Sequence, residues 1–447
     1  MKKSILLALV VLVSVPMAFP SIVTNTNQSI GFYRLLARYA SIETDAVYYN
    51  PAGLIRLQDG FHLYLSNQTI SQDKTVVNEF PYLNNGTYVG EVRAPLYPNF
   101  YAVYKKGPLA FSFGFTPIGG GGAADYKTGL PSFEQPFSTL PVLLSSMGLP
   151  TTKYAADIAF KGSSMYLGFQ ANVTYAINEM FSVAFGLRYV SAKNTYEGSI
   201  ENVSVNPLFP ALGLSGTMIP AANLFTMLGQ TGYAALVANK AVDASASGSG
   251  ITPIFSLMVT PIEGLNLTAR YEMNTKLELT MATKQDDTGL FPNGEKTNAD
   301  IPGTLALGAS YAILPQLRAY ASFNTDFDKS ANWDGREAFI SKNTMEFALG
   351  LEYDLFKTLT ISAGYLNSSY GVLANYQTDM DFLLSANTFG CGARWSLMDN
   401  LSVEGGLILV SYKDDSKQIT YAPFGAYTET YKQTTFGFGV GVNYSFR

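Results

Sequence analysis

Charge is scarce in this chain. Asp, Glu, Lys and Arg make up only 14% of the 447 residues, against roughly 25% in ordinary soluble domains. A water-soluble protein so poor in charge would struggle to cover its surface. Cysteine is nearly missing: Cys391 stands alone, so no intrachain disulfide can form. His62 is the only histidine, and without a cysteine pair it leaves no metal-ligand cluster. The glycine run from Gly119 to Gly122 lacks the Lys-Ser/Thr of a phosphate loop, so no metal or cofactor is expected. No stretch approaches the ~18 uncharged apolar residues of a membrane helix. A net charge of −5 speaks against nucleic acid as a partner.

What is abundant is aromatic residues and glycine, with 29 Tyr, 29 Phe and 40 Gly. The chain opens with Lys2 and Lys3, an apolar run over 5–13 and small residues near Ala18. That order reads as an export signal over 1–18, too short in its apolar part to span a bilayer. An exported chain ends in the periplasm, in the medium or, as a β-barrel, in an outer membrane, and this composition argues for the barrel.

From Asp59 onward one unit repeats, an alternating run followed by a connector. In the last run Phe436, Phe438, Val440, Val442, Tyr444 and Phe446 share one face. Gly437, Gly439, Gly441, Asn443 and Ser445 share the other. A bulky apolar face backed by a small polar one is the mark of a membrane-spanning strand, lipid outside and lumen inside. Fourteen such runs can be drawn, near 59–69, 97–105, 108–116, 163–176, 180–195, 247–260, 264–282, 301–313, 316–327, 343–355, 358–369, 386–397, 400–413 and 433–446. Their connectors alternate short and long. The longest fall near 117–162 and 196–246, as expected for periplasmic turns and external loops. The fold class implied is all-β: a 14-stranded antiparallel transmembrane β-barrel over 59–447 with an N-terminal plug inside the lumen.

Charge placement supports this. Arg188, Arg270, Glu272, Arg318, Glu346, Glu352, Arg394 and Glu404 all take the phase opposite the bulky residues. A lipid-facing Arg or Lys at mid-depth costs about 2–4 kcal/mol, so that phase should face the lumen. Residues 19–58 alternate poorly, and a lumen this wide needs filling. They are read as the plug. Within it lies "AVYYNPAGLIRL" at 46–57, where Pro51 keeps Asn50 out of the helical region and Gly53 is free to take positive φ.

An export signal, a short plug ending in Asn50-Pro51-Ala52-Gly53-Leu54 and fourteen strands together resemble the FadL/TodX family of outer-membrane transporters for hydrophobic compounds. Also similar are "FGFTPIGGG" at 113–121, "EGLNLTARY" at 263–271, "ADIPGTLALGASY" at 299–311 and "LTISAGYLNSSYGV" at 359–372. The resemblance covers essentially the whole mature chain. It implies passive uptake of a hydrophobic ligand such as a fatty acid or hydrocarbon. The ligand would be captured between external loops, held in a pocket above the plug and released through a wall opening near the third strand. It also implies a gating role for Asn50, Pro51 and Ala52. One departure is the bulky plug segment "FYRLLARYA" at 32–40, where relatives tend to be glycine-rich.

Several residues are candidates for the ligand path. Leu140, Leu143, Leu144 and Met147, and again Ala221, Leu224, Phe225 and Leu228, follow helical spacing in the two longest loops. The two amphipathic helices can pack on each other, and with Phe133, Phe137, Leu208 and Phe209 can form a ligand-capturing surface; both hold if a groove remains between them. Arg188, Arg270, Arg318 and Arg394 either bind a ligand head group or pair with lumen carboxylates. His62 has no nucleophile motif near it, so enzymatic chemistry is not expected. Outer-membrane lipid is the implied surrounding and a monomer the expected state. A polar porin or a surface adhesin is the competing class; the plug and apolar loops speak against the porin.

Overall fold

The computed structural model describes residues 27–446. The export signal at 1–18 and the start of the expected plug, 19–26, lie outside the described residues. Fourteen antiparallel strands close into a barrel. They are β1 (Gly60–Asn78), β2 (Thr87–Lys106), β3 (Leu109–Tyr126), β4 (Tyr154–Ala176), β5 (Phe181–Val205), β6 (Lys240–Ile262) and β7 (Leu265–Glu272). Then follow β8 (Thr304–Leu314), β9 (Leu317–Asp326), β10 (Ile340–Phe356), β11 (Leu359–Val372), β12 (Ala386–Met398), β13 (Leu401–Tyr412) and β14 (Gly425–Phe446). Short strands Glu278–Asp286 and Asp415–Tyr421 prolong β7 and β13 outward. Closure comes from β1 on β14, in register from Phe61↔Phe446 to Asn78↔Glu429.

The period-two pattern does what it promised. Along β5, Phe181, Val183, Phe185, Leu187 and Tyr189 are exposed to the lipid side, while Ser182, Ala184, Arg188 and Val190 are buried inside. Turns such as Gly107 (φ +55°) and Gly264 (φ +79°) use glycine for the left-handed position between paired strands.

The strands outrun the sequence-derived runs. Expected ends at 69, 116 and 195 become Asn78, Tyr126 and Val205, so the large loops shrink to 127–153 and 206–239. Above the bilayer neither face needs to be greasy, so polar residues such as Gln72 and Asp73 break the alternation. The ladder itself continues, Gln72↔Val92 and Asp73↔Glu91. The glycine run at 119–122, read as loop, lies within β3 and stays on β4 through two bulges.

The lumen is filled from below by residues 27–58. They carry helix α1 (Ile30–Leu35), helix α2 (Ala46–Tyr49) and a 3-10 turn over Pro51–Arg56. Ser29 caps α1, its Oγ accepting from Phe32 N at 3.0 Å and donating to Asp45 at 2.7 Å. All six residues of α1 are buried. The small lumen-side residues of the strands make room for it. A Cβ on Gly364 would sit 1.9 Å from the Leu35 carbonyl oxygen, and one on Gly390 2.3 Å from that of Tyr33.

Leu187 and Arg188 are sequence neighbours on opposite faces. Leu187→Arg should lower barrel stability in lipid vesicles by about 2–4 kcal/mol, measured by denaturant titration. A change near zero would mean that Leu187 does not face hydrocarbon.

Candidate functional site: plug, cavity and wall gap

The turn Asn50-Pro51-Ala52-Gly53 is fastened to the wall by hydroxyls from three strands. Thr174 of β4 donates to the Pro51 carbonyl at 2.8 Å, and Ser182 of β5 to that of Ala52 at 2.9 Å. Ser256 of β6 accepts from Ala52 N and donates to Asn50 Oδ1, both at 3.2 Å. Asn50 Nδ2 reaches the Ser41 carbonyl at 2.9 Å. Asn50 itself is held out of the helical region (φ −154°, ψ 73°) ahead of the proline. Gly53 departs from expectation: it is 3-10 helical rather than left-handed. Its missing Cβ matters for space, since one there would lie 2.4 Å from Asn50 Nδ2.

The lumen charges converge on the plug in two groups. Arg34 of α1, fully buried, donates to Glu404 of β13 at 2.9 Å, Glu352 of β10 at 3.2 Å and Ser362 of β11 at 2.5 Å. Arg318 joins Glu352 at 3.0 Å and Asp354 at 2.7 Å, and Arg394 pairs with Glu43 of the plug. On the opposite side Arg188 grips Glu272 through two bonds of 2.7 and 2.8 Å and stacks on Tyr48. Arg270 pairs with Glu272 at 3.1 Å and bonds the Tyr48 carbonyl. Of the two readings for these arginines, pairing with lumen carboxylates is the one the geometry carries. None of Arg188, Arg270, Arg318 and Arg394 lines the cavity above the plug.

That cavity, about 390 Å³, has Asn27, Phe32 and Tyr33 of the plug in its floor. Its walls include Gly120, Gly121, Tyr166, Leu366 and Ile408, and Met380 and Phe382 reach it from the β11–β12 loop. A smaller groove of about 100 Å³ lies among the external loops, lined by Phe133, Phe137, Leu236, Leu290 and Phe291. Phe160 lines both spaces, and its ring packs edge-on against Phe133 at 5.3 Å.

The loop helices α3 (Pro131–Ser138), α4 (Leu140–Ser146), α5 (Ala221–Met227) and α6 (Thr231–Leu236) settle which of their residues are free. Leu140, Leu143, Leu144, Leu224 and Phe225 are buried in one cluster with Val203, Val205 and Val237. They hold the helices together, the packing role considered for them. Leu228 packs on that cluster, whereas Met147, Leu208 and Phe209 are exposed. Only Phe133 and Phe137 of the candidate capture residues line the groove.

The wall is incomplete beside the cavity. β2 and β3 pair from Lys106↔Leu109 to Phe100↔Phe115 and again at Val92↔Ala124, but residues 93–99 and 116–123 form no ladder with each other. β2 bulges here, and Leu96, 73% exposed, points out of the barrel. Val92, Ala94 and Gly120 to Gly122 border both gap and cavity. At the lower edge Thr116 bonds both Asn99 and Gln28 of the plug. The sequence marked the Gly/Pro break on β3. It gave no sign of Tyr97, Asn99 or Gln28, because polar residues in lumen phase look alike until their partners are placed.

His62 is buried between Ser445 Oγ and the Gln58 carbonyl, each at 2.8 Å. A serine does stand beside it, across the β1–β14 seam, but its other partner is a backbone carbonyl. It ties plug end to barrel seam.

Above the membrane, the β11–β12 loop is anchored by Asp379 accepting from Ser132 N at 2.8 Å and by Asp381 pairing with Arg336 at 2.6 Å. Nearby Glu429 accepts from Asn78 at 2.7 Å and from Tyr431 at 2.5 Å. Burial, then the charge of Asp379, pushes Glu429 up to about 7, and burial likewise raises Asp379.

No protein-family model and no curated protein sequence matches the chain. Solved structures do. A Pseudomonas aeruginosa FadL homologue superposes with a TM-score of 0.65 at 13% identity, covering 96% of this chain and 100% of that one. The Ralstonia pickettii toluene transporter TbuX gives 0.56 at 16%, covering 90% and 94%. The Pseudomonas putida toluene transporter TodX gives 0.60 at 11%, covering 95% and 100%. The chain thus has the β-barrel fold of FadL- and TodX-type proteins.

Two predictions follow from the charges. Arg34→Ala leaves Glu352 and Glu404 facing each other without their shared cation and should destabilise the plugged barrel by about 3–5 kcal/mol. Thermal melting in detergent reads it, and an unchanged melt would show that the plug does not depend on this cluster. For Glu429 the folded-state pKa is raised, so its stabilising contribution is present below the ordinary carboxylate range and is lost as pH climbs to about 7. Asp379, Lys417, Tyr427 and Tyr431 surround it. Hydrogen exchange in the β11–β12 loop should speed up over that window, and Glu429→Gln should flatten the dependence.

Proposed function

We propose that this chain carries hydrophobic compounds, hydrocarbons or fatty acids, passively across the outer membrane. The observation that carries this is the contiguity of the cavity above the plug with an unpaired section of the wall, Ala94 and Gly120 to Gly122 belonging to both. A solute leaving there enters the membrane, which suits a greasy molecule and not a polar one.

The path has three stages. An apolar solute leaves water for the groove at Phe133, Phe137 and Phe291, gaining roughly 0.8 kcal/mol per buried methylene. It passes Phe160 into the cavity over Phe32 and Tyr33. It leaves sideways between β2 and β3, with local rearrangement where Gln28 meets Thr116. The rest of the plug stays fixed by its ion pairs and hydroxyl contacts, so Asn50 to Gly53 act as an anchor about which the nearer plug residues adjust. Similar barrels solved from other bacteria are described as toluene transporters and as a monoaromatic hydrocarbon channel, which supports an aromatic or aliphatic cargo. The plug occupying the lumen argues against a general polar porin.

In a host stripped of its own hydrocarbon channels, expression should raise uptake of labelled toluene or dodecanoate. Liposomes bearing the purified protein should swell in arabinose no faster than empty ones. Rapid swelling together with no gain in uptake would sink this reading in favour of a porin.

A further inference from the structure

Within the gap between β2 and β3, two β2 side chains reach across: Asn99 meets Thr116 at the lower edge, and Tyr97 meets Pro117 beside it. Tyr97 is buried, its backbone N–H donates to Asn67 of β1 at 2.9 Å, and its phenol donates across the gap to the Pro117 carbonyl at 2.6 Å. Its neighbour Leu96 points the opposite way, into lipid. Opposite the ring is Gly121 (φ +126°), which borders the cavity. A Cβ on Gly121 would come within 2.6 Å of the Tyr97 ring. The chain therefore keeps a receptacle free of side chains for this one ring, just behind the cavity wall.

We propose that Tyr97 is the latch of the wall gap, and that a solute leaves the cavity only when its ring swings off Gly121 and its phenol releases Pro117. This rests on the sideways-exit reading above and adds the residue that controls it. The geometry suits the task. The Pro117 carbonyl lies in a section of β3 with no ladder to β2, so the Tyr97 bond and its ring contact at Gly121 help hold the gap shut while the rest of the wall keeps its pairing. The Gln28–Thr116 contact at the lower edge is a further restraint on the same opening.

The test uses labelled dodecanoate uptake by cells carrying the full chain, with heat-modifiable gel migration confirming that each variant is folded. Tyr97→Phe keeps the ring but loses the hydrogen bond and should raise the maximal uptake rate about fivefold, as a bond of ordinary net strength would. Tyr97→Ala should raise it further, with the half-saturating concentration unchanged because capture at the groove is untouched. Ala94→Trp, which fills the space opposite Gly122, should abolish uptake. If Ala94→Trp blocks uptake while both Tyr97 variants match the parent, the latch is overturned and the exit stands. If Ala94→Trp leaves uptake intact, the exit reading fails and the latch with it. Should Tyr97→Ala not fold, Tyr97→Phe alone decides.

Discussion

A guanidinium with no route to water has to be surrounded by carboxylates, and Arg34 is. Its place between Glu352 and Glu404, with a further bond to Ser362, fixes α1 against the barrel wall. Removing either partner would strand a buried charge, which is far costlier than never having placed the pair. Everything above the plug inherits its position from this cluster and its counterpart at Glu272. The floor of the cavity is Phe32 and Tyr33, the residues just before Arg34. A displaced helix would move the floor with it.

The same constraint governs the backbone. A barrel wall in hydrocarbon satisfies its peptide groups strand to strand, and an open section is tolerated only where other groups take over. Between β2 and β3 those groups are local: Tyr97 on Pro117, and the bonds from Asn67 and Thr69 to the Pro95 carbonyl. The Asn50 turn is handled in the same way, by Thr174, Ser182 and Ser256. Irregular backbone is confined to places where hydroxyls, amides or phenols are aimed at it.

The external loops divide the apolar residues between two uses. Those at helical spacing, Leu140 to Leu144 and Leu224 to Phe225, meet one another and build a small core. The aromatics beside the helices, Phe133, Phe137 and Phe291, border a groove instead. Helical periodicity identifies an apolar face but not what covers it, and here the covering is the neighbouring helix. The lumen arginines show the same limit. Their phase along the strands told which side they occupy but not which carboxylate each meets, Glu272 for Arg188 and Glu43 of the plug for Arg394.

By itself the sequence determined the barrel, its strand count, the inward phase of Arg188, Glu272, Arg318 and Glu404, and the place of a plug. Those are local matters of period-two alternation and of the cost of charge in lipid, legible one segment at a time. Tertiary structure alone decided how far the strands extend beyond the bilayer and which charges neutralise which. It also decided that Gly364 and Gly390 clear space for α1, and that the wall opens beside Tyr97. Each of these depends on which residues from distant segments come within a few ångströms of one another, and a one-dimensional pattern carries no such distances.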